Sequence, residues 1–148
     1  MLKGIDPILN AEILYALRAM GHGDDLILAD MNFPADSVAR QTRLGRLLRI
    51  SLASAAEVTK AILSLYPVDT FVDDAVARMM LADGPEEIPP VQEEVQQVVD
   101  SLSEKKGPMV PIERFAFYER ARNAYCVIQT GERRFYGCFA IRKGVIAP

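Results

Sequence analysis

The sequence is short of the side chains from which most metal and hydrolytic sites are built. One histidine, His22, and two cysteines, Cys126 and Cys138, occur among 148 residues. A zinc site made of several histidines is therefore excluded, and no C-x-x-C or H-x-x-x-H spacing indicates another metal site. The motifs G-x-S-x-G, G-x-x-x-x-G-K-S/T and G-x-G-x-x-G are also absent. These absences disfavour hydrolytic triads, P-loop chemistry and the usual dinucleotide-binding domains.

A strong charge of one sign and long apolar runs are missing as well. Lys and Arg number 17 and Asp and Glu number 20, which gives a net charge of −3 and predicts no binding of nucleic acid. No uncharged run reaches the roughly 20 residues that cross a bilayer, and the N-terminal segment lacks the apolar centre of a signal peptide. We therefore expect no membrane association, and the two cysteines fit a reducing cytoplasm.

Helical and strand patterns alternate along the chain. Half of the residues are hydrophobic and a quarter are charged, which is typical of a globular protein, and the length predicts one domain over residues 1–148. The predicted helices are 11–20, 54–66, 91–104 and 114–123, and the predicted strands are 26–29, 47–51, 76–81, 125–130 and 136–142. This alternation favours the α/β class.

The last two predicted strands are joined by a turn at 131–134, which predicts a β-hairpin. In that hairpin Cys126 faces Phe139, and Cys138 points to the opposite face of the sheet from Cys126. We therefore expect no disulfide bond between the two cysteines.

Two residues near the first predicted strand are candidates for chemistry. His22 lies between Gly21 and Gly23 at the end of the first helix, and an imidazole can act as both acid and base near neutral pH. Asp30 ends the strand, where open α/β sheets bind ligands. The more ordinary interpretation is a surface histidine and an aspartate that caps the backbone amides of a loop.

A dense cluster of aromatic and charged residues occupies 114–120. Aromatic rings there, such as that of Tyr118, can stack on the apolar face of a sugar, and Arg114 can donate to several hydroxyl groups. An amphipathic helix with a packed aromatic face explains the same pattern. The segment Tyr136-Gly137-Cys138 follows the turn, and a simple strand start explains it equally well.

Arginine recurs every three residues in the segment between the first two predicted strands. The four positions are Arg40, Arg43, Arg46 and Arg49. The pattern fits an anion-binding stripe or a solvated loop, and the acidic composition of the chain favours the loop.

Taken together, several short segments resemble the RbsD/FucU family. They are MGHGD at 20–24, LAD at 28–30, NFP at 32–34, IERFAFYERA at 112–121, TGE at 130–132, YG at 136–137 and RKGV at 142–145. The segments keep their order over nearly the whole chain. The four C-terminal segments resemble the L-fucose mutarotase branch in particular.

The resemblance implies a mutarotase that interconverts the α and β anomers of a free monosaccharide, L-fucose above all, without a cofactor. It also implies a three-layer α/β/α domain around a central, mostly parallel sheet. The assembly it implies is a ring-shaped homo-oligomer, commonly a decamer, with sites at subunit contacts. His22 matches the catalytic histidine. The substrate-binding positions are Asp30, Arg114, Tyr136 and Gly137, with Cys138 beside them. Our own hypothesis adds a second proton relay or a stacking face from Tyr118 or Tyr136, and the sequence does not decide which.

Departures from the family pattern leave other functions open. Cys138 stands where the family has asparagine, and a thiol is a weak donor and acceptor. A sugar-binding protein without catalysis is therefore one alternative, and pyranose–furanose interconversion of D-ribose is another. The arginine stripe suggests a third, an enzyme that acts on a phosphorylated sugar.

The predicted first strand separates two of the candidate residues. His22 precedes this strand and Asp30 ends it, and a straight strand of five steps spans about 16 Å. One chain would not bring both side chains to one small sugar. We therefore expect a site that is shared between neighbouring subunits.

Overall fold

The chain forms five helices and six strands, which alternate up to the last two strands, and nine of these eleven elements are predicted from the sequence pattern. The computed structural model describes all residues, 1–148. The helices are α1 (Ala11–Ala19), α2 (Ala35–Ala39), α3 (Ala55–Leu63), α4 (Pro90–Leu102) and α5 (Arg114–Asn123). The strands are β1 (Asp25–Ala29), β2 (Leu47–Ile50), β3 (Val76–Met79), β4 (Val110–Ile112), β5 (Cys126–Thr130) and β6 (Phe139–Arg142). The short elements α2 and β4 are the two that the sequence pattern does not predict.

The ends of the helices follow from local capping. The side chain of Asn10 accepts a hydrogen bond from an amide of the first turn and so begins α1. Ser54 and Glu57 form a reciprocal capping box at the start of α3. α3 ends at Leu63, before its predicted end at 66, because the chain already turns there towards Pro67.

The strands form one sheet in the order β2-β5-β1-β6-β3-β4. All neighbouring pairs are parallel except those of β6, which runs antiparallel to β1 and β3. The mostly parallel sheet is therefore confirmed. The carboxyl ends of β1 and β3 meet at the same edge of the sheet as the start of β6.

The predicted hairpin between the last two strands is wrong, because β1 lies between β5 and β6. Cys126 lies opposite Leu26 on β1, not opposite Phe139. The connection 131–138 is long enough to pass one intervening strand, since neighbouring strands are about 4.8 Å apart. β6 also begins later than predicted because Tyr136, with φ of 62°, cannot belong to an extended strand.

Helices cover both faces of the sheet, which confirms the three-layer α/β/α fold. α1, α3 and α4 pack on one face and form the larger hydrophobic core, whereas α2 and α5 pack on the other. Cys126 belongs to the first core and Cys138 to the second, and both are free thiols. The two thiols lie on opposite faces of the sheet, as expected, although the hairpin from which this was argued does not form.

We expect neither cysteine to react with Ellman's reagent in the native protein. Burial raises the pKa of the Cys126 thiol to about 12. Burial, and then the charge of Asp30, raise the pKa of the Cys138 thiol well above its usual range. Because the thiolate is the reactive form, labelling should begin only on denaturation, when two thiols per chain become accessible to the reagent. Rapid labelling of the native protein would contradict this prediction.

Candidate active site

A pocket of about 330 Å³ opens where the carboxyl ends of β1 and β3 meet the start of β6. We call it the strand-end pocket. Its lining residues are Asp30, Asn32, Phe33, Met79, Arg114, Tyr118, Phe135, Tyr136 and Cys138. The structure thus gathers the sequence-predicted substrate-binding residues at the edge of the sheet where α/β proteins bind ligands. Gly137, the one not in contact with the pocket, lies between two residues that are.

Asp30 joins the two loops that flank the strand-end pocket. Its Oδ1 accepts hydrogen bonds from the amides of Asn32 and Phe33, at 2.9 and 3.0 Å. Its Oδ2 accepts from the amide of Gly137 at 3.1 Å and from the thiol of Cys138 at 3.5 Å. A carboxylate offers about four lone-pair positions, so all of them are engaged. The thiol is the weakest of these donors, and a sugar hydroxyl can therefore take its place.

The backbone at Tyr136 and Gly137 has an unusual conformation. Tyr136 is the only residue other than glycine with a positive φ. A Cβ atom at Gly137 would lie 2.8 Å from Cγ of Glu132 and 3.3 Å from Cβ of Asp30, so only glycine allows this close approach. The hydroxyl of Tyr136 accepts a hydrogen bond from the amide of Ala82 at 3.3 Å, which holds the other end of the side chain.

Helix α5 divides its aromatic residues between the pocket and the core. Phe117 is fully buried in the core between α5 and the sheet. Tyr118 lines the strand-end pocket and meets the ring of Phe33 edge to face, with 5.3 Å between ring centres. Arg114 also lines the pocket, with its guanidinium 4.8 Å from the ring centre of Phe115. The packed-face interpretation therefore applies to Phe117, whereas Arg114 and Tyr118 face the pocket, where the sugar-contact interpretation stays a prediction.

His22 lies at the opposite edge of the sheet, just before β1. Its Nε2 is 3.2 Å from Oδ2 of Asp69. The side chain of His22 is 48% exposed, whereas that of Asp69 is only 3% exposed. The ring of Phe71 packs edge-on against the imidazole, and the Phe71 amide donates to Oδ1 of Asp69. Sequence reasoning missed Asp69, because 47 positions separate it from His22 and no motif spacing links the two.

The contact with Asp69 determines what His22 can do. A carboxylate only accepts hydrogen bonds, so Nε2 carries a proton when the imidazole is neutral. Nδ1 is then the nitrogen left to take a proton from a substrate or, once protonated, to return it. His22 and Asp69 together therefore have the arrangement of an oriented general acid–base group.

The strand-end pocket and His22 do not meet within one chain. β1 is five residues long and lies between His22 and Asp30. From Asp25, its first residue, to Asp30, the residue that follows it, the distance is about 16 Å at the usual rise of a strand. The structure thus brings the substrate-binding candidates together and leaves the catalytic candidate apart from them.

A larger groove of about 540 Å³ lies between α1 and the C-terminal segment. Its wall is mainly aliphatic, and two basic residues, Arg18 and Lys143, contribute to it. Lys143 donates to the carbonyls of Leu17 and Met20 at the end of α1, which is a capping role. We prefer the strand-end pocket despite its smaller volume, because several polar groups converge there at the ends of strands.

An ion-pair cluster fixes the loop 131–138 that carries Tyr136 and Gly137. The guanidinium of Arg134 binds both carboxylate oxygens of Glu132 at 2.8 Å. It also binds both carboxylate oxygens of Glu94 on α4, at 2.7 and 2.8 Å. Glu132 is buried, and the hydrogen bonds from Arg134 lower its pKa to about 2. The cluster ties the loop to α4.

We expect acid to destabilise the wild type more than a Glu132→Gln variant between pH 4.5 and 2. The pKa of Glu132 is about 2 in the folded protein and near 4.5 in an unfolded chain. The unfolded state therefore binds more protons in this window, and the stability due to Glu132 is lost as the pH falls. This contribution is about 3 kcal/mol above the window. Urea unfolding at several pH values measures the free energy of unfolding of each variant. The exposed Glu104→Gln is the control. If the free energy of unfolding fell equally with pH in Glu132→Gln and in the wild type, the prediction would be wrong.

Neither a metal site nor a membrane span is found. No three side chains among His, Cys, Asp and Glu come together as a metal ion would require. Every helix is too short or too polar to cross a bilayer.

Comparison with known proteins gives matches over the full chain. Residues 3–146 match the RbsD / FucU transport protein family. Fucose mutarotase from Danio rerio is 42% identical over 153 aligned positions, which cover 100% of this chain and 96% of the relative. The crystal structure of protein Atu2016 is 59% identical, with a TM-score of 0.95 and coverage of 99% and 97% of the two chains. Fucose mutarotase from Streptococcus pneumoniae, solved in complex with L-fucose, is 32% identical, with a TM-score of 0.88 and coverage of 99% and 100%. The chain therefore belongs to the RbsD / FucU transport protein family.

Proposed function

We propose that this protein is a sugar mutarotase that interconverts the α and β anomers of free L-fucose without a cofactor. The enzyme class, an isomerase acting on anomers, is supported by full-length relatives that are named fucose mutarotase. The observation that carries the proposal is the strand-end pocket, where a buried carboxylate, a guanidinium and two phenols converge among aromatic rings. Its volume of about 330 Å³ lies at the low end of the range for small-molecule sites, as a monosaccharide requires.

Each group in the pocket has a task in binding a sugar. The rings of Phe33 and Tyr118 offer apolar faces to the C–H groups of the ring. Arg114 donates hydrogen bonds to hydroxyl groups. Oδ2 of Asp30 accepts a hydrogen bond from a sugar hydroxyl, which replaces the one from the Cys138 thiol. These contacts hold the sugar in one orientation while its anomeric carbon reacts.

Mutarotation needs one proton removed from the anomeric hydroxyl and one delivered to the ring oxygen. The ring opens to the aldehyde, which rotates and closes on its other face, so no redox step occurs. His22 exchanges these protons with the sugar as general acid and base, and Asp69 orients its imidazole. Tyr118 or Tyr136 acts as the second relay, since both phenols line the pocket and the hydrogen bond that Tyr136 accepts from Ala82 leaves its own proton free. The protein holds the sugar and moves protons, so no cofactor is needed.

We further propose that His22 of one subunit completes the strand-end pocket of its neighbour in a ring of ten subunits in the cytoplasm. The two half-sites lie at opposite edges of the sheet, so a single chain does not assemble the reaction. Exposed aromatic rings flank both half-sites: Phe71 beside His22, and Phe115 and Phe135 near the pocket. Such clusters of exposed apolar side chains are typical of subunit contacts.

NMR saturation transfer between the anomeric protons of L-fucose tests the proposed reaction directly. We expect the protein to accelerate this exchange, and to accelerate the exchange of D-ribose forms much less. Acceleration with D-ribose alone would favour pyranose–furanose interconversion. Sugar-dependent thermal stabilisation without any exchange would identify a binding protein that does not catalyse.

The structure gives no support to an enzyme for phosphorylated sugars. None of the four arginines of the stripe lines the strand-end pocket. Arg40 pairs with Asp36 and Arg46 with Glu12, both at the exposed surface. The stripe is therefore accounted for by surface pairs and solvated side chains.

A further inference from the structure

A buried glutamine lies behind the wall of the strand-end pocket, and the proposed reaction does not use it. Gln92, in the first turn of α4, is fully buried. Its Nε2 donates to the carbonyl of Met79 at 2.7 Å and to that of Tyr136 at 2.9 Å. Both of these residues line the pocket. One amide group thus holds two parts of the pocket wall from behind.

Arg78 fixes the direction of this amide. The Nη1 of Arg78, which is itself buried, donates to Oε1 of Gln92 at 2.9 Å. A guanidinium cannot accept a hydrogen bond and a carbonyl cannot donate one. Only one of the two orientations of the Gln92 amide therefore satisfies all three of its neighbours. The side chain is held with both Nε2 protons directed at the pocket wall.

The peptide unit between Tyr136 and Gly137 is clamped from both sides. Its carbonyl oxygen accepts from Gln92 at 2.9 Å. Its N–H donates to Oδ2 of Asp30 at 3.1 Å. The two bonds belong to one rigid plane, so rotation of that plane would break both. The clamp also holds Tyr136 at its positive φ, a conformation that a residue with a Cβ keeps only under external constraint.

We propose that Gln92 is a positioning residue for sugar binding. By holding the 136–137 peptide against Asp30, it keeps Oδ2 of Asp30 and the ring of Tyr136 in place to meet the sugar. The effect on catalysis rests on the proposed function, whereas the effect on the loop does not.

Loss of the Gln92 donors should weaken binding more than it slows the chemistry. Without them the peptide plane is free to turn, and the sugar must then bind while it orders the loop. We expect the KM for L-fucose to rise about tenfold, which corresponds to roughly one net hydrogen bond. We expect kcat to stay within about twofold, because the protons move through His22 and Asp69, and neither residue is hydrogen-bonded to Gln92 or to the 136–137 peptide.

Three variants separate positioning from general destabilisation. Gln92→Met keeps the size of the side chain and removes both donors. Gln92→Glu keeps an acceptor for Arg78 and places a carboxylate against the two carbonyls, so it tests the clamp even if the methionine variant does not fold. The matched control is Gln96→Met, one turn later on α4, because the Gln96 amide binds the backbone of Met109 and Gly107 away from the pocket.

Two readouts are measured on each variant: anomer exchange as a function of L-fucose concentration, and hydrogen–deuterium exchange of the peptide 131–138 by mass spectrometry. Both Gln92 variants should raise KM and speed deuterium uptake by this loop, and Gln96→Met should do neither. Unchanged loop exchange, or an equal rise in KM for Gln96→Met, would overturn the proposal. A wild type without any anomer exchange would overturn only the proposed function, and deuterium uptake would then decide whether Gln92 holds the loop.

Discussion

Replacement of His22 by alanine is expected to slow L-fucose anomer exchange by at least about 100-fold, the lower end of what general acid–base catalysis supplies. The side chain is half exposed, so its removal opens no cavity in the core. Tm should therefore stay close to that of the wild type. Saturation transfer at saturating L-fucose measures the rate, and thermal unfolding confirms the fold.

Asp69→Asn is the matched variant for this prediction. The asparagine has nearly the same shape, but its amide can present either an acceptor or a donor to Nε2 of His22, so the tautomer is no longer fixed. We expect a smaller loss, about tenfold, because the imidazole is still present but is no longer held in one tautomer. If His22→Ala kept more than about a tenth of the wild-type rate, His22 would not be the acid–base group of the proposed mechanism.

The parts of the fold and site that follow local rules could be predicted from the sequence. The starts of α1 and α3, and both ends of α5, lie within one residue of the positions that the pattern predicts. The convergence of Asp30 with Tyr136 and Cys138 is consistent with a general rule, since ligands gather at the carboxyl ends of strands. Local signals marked Asp30 and the segment 114–120 as candidates, and the resemblance to the RbsD/FucU family selected the substrate-binding positions.

The parts that depend on contacts distant in sequence could not be predicted in this way. Asp69 and Gln92 reach His22 and Tyr136 across 47 and 44 positions, and nothing in the local pattern marks either of them. β1 pairs with both β5 and β6 and so separates them. A local pattern of two strands joined by a turn does not reveal such a pairing, because it depends on the order of all the strands in the sheet. The positive φ of Tyr136 likewise depends on a hydrogen bond from Gln92 on α4 and on one that the Gly137 amide donates to Asp30, and both exist only in the folded chain.

A shared site makes a prediction that a single-chain site does not. His22→Ala removes the acid–base half-site, and Asp30→Asn removes the carboxylate that holds the pocket loops, so each variant alone should be almost inactive. The His22→Ala chain keeps an intact pocket, and the Asp30→Asn chain keeps an intact His22. When the two variants are refolded together in equal amounts, some of these pockets will lie next to an intact His22 of a neighbouring chain. Random assembly makes about a quarter of the sites complete, so about a quarter of wild-type activity should return.

The control is to mix the same two variants after each has assembled by itself. If subunits do not exchange between preformed rings, that mixture should remain inactive, so any activity in the co-refolded sample comes from sites built by two different chains. Each His22→Ala chain keeps a complete pocket and each Asp30→Asn chain keeps His22 with Asp69, yet neither chain contains both. Recovery can therefore arise only across a subunit contact, whatever the number of subunits in the ring. If the co-refolded samples were as inactive as the separate variants, one chain would bring His22 to its own pocket. His22 and the pocket lie at opposite edges of the sheet, so the chain would then have to change its conformation on sugar binding.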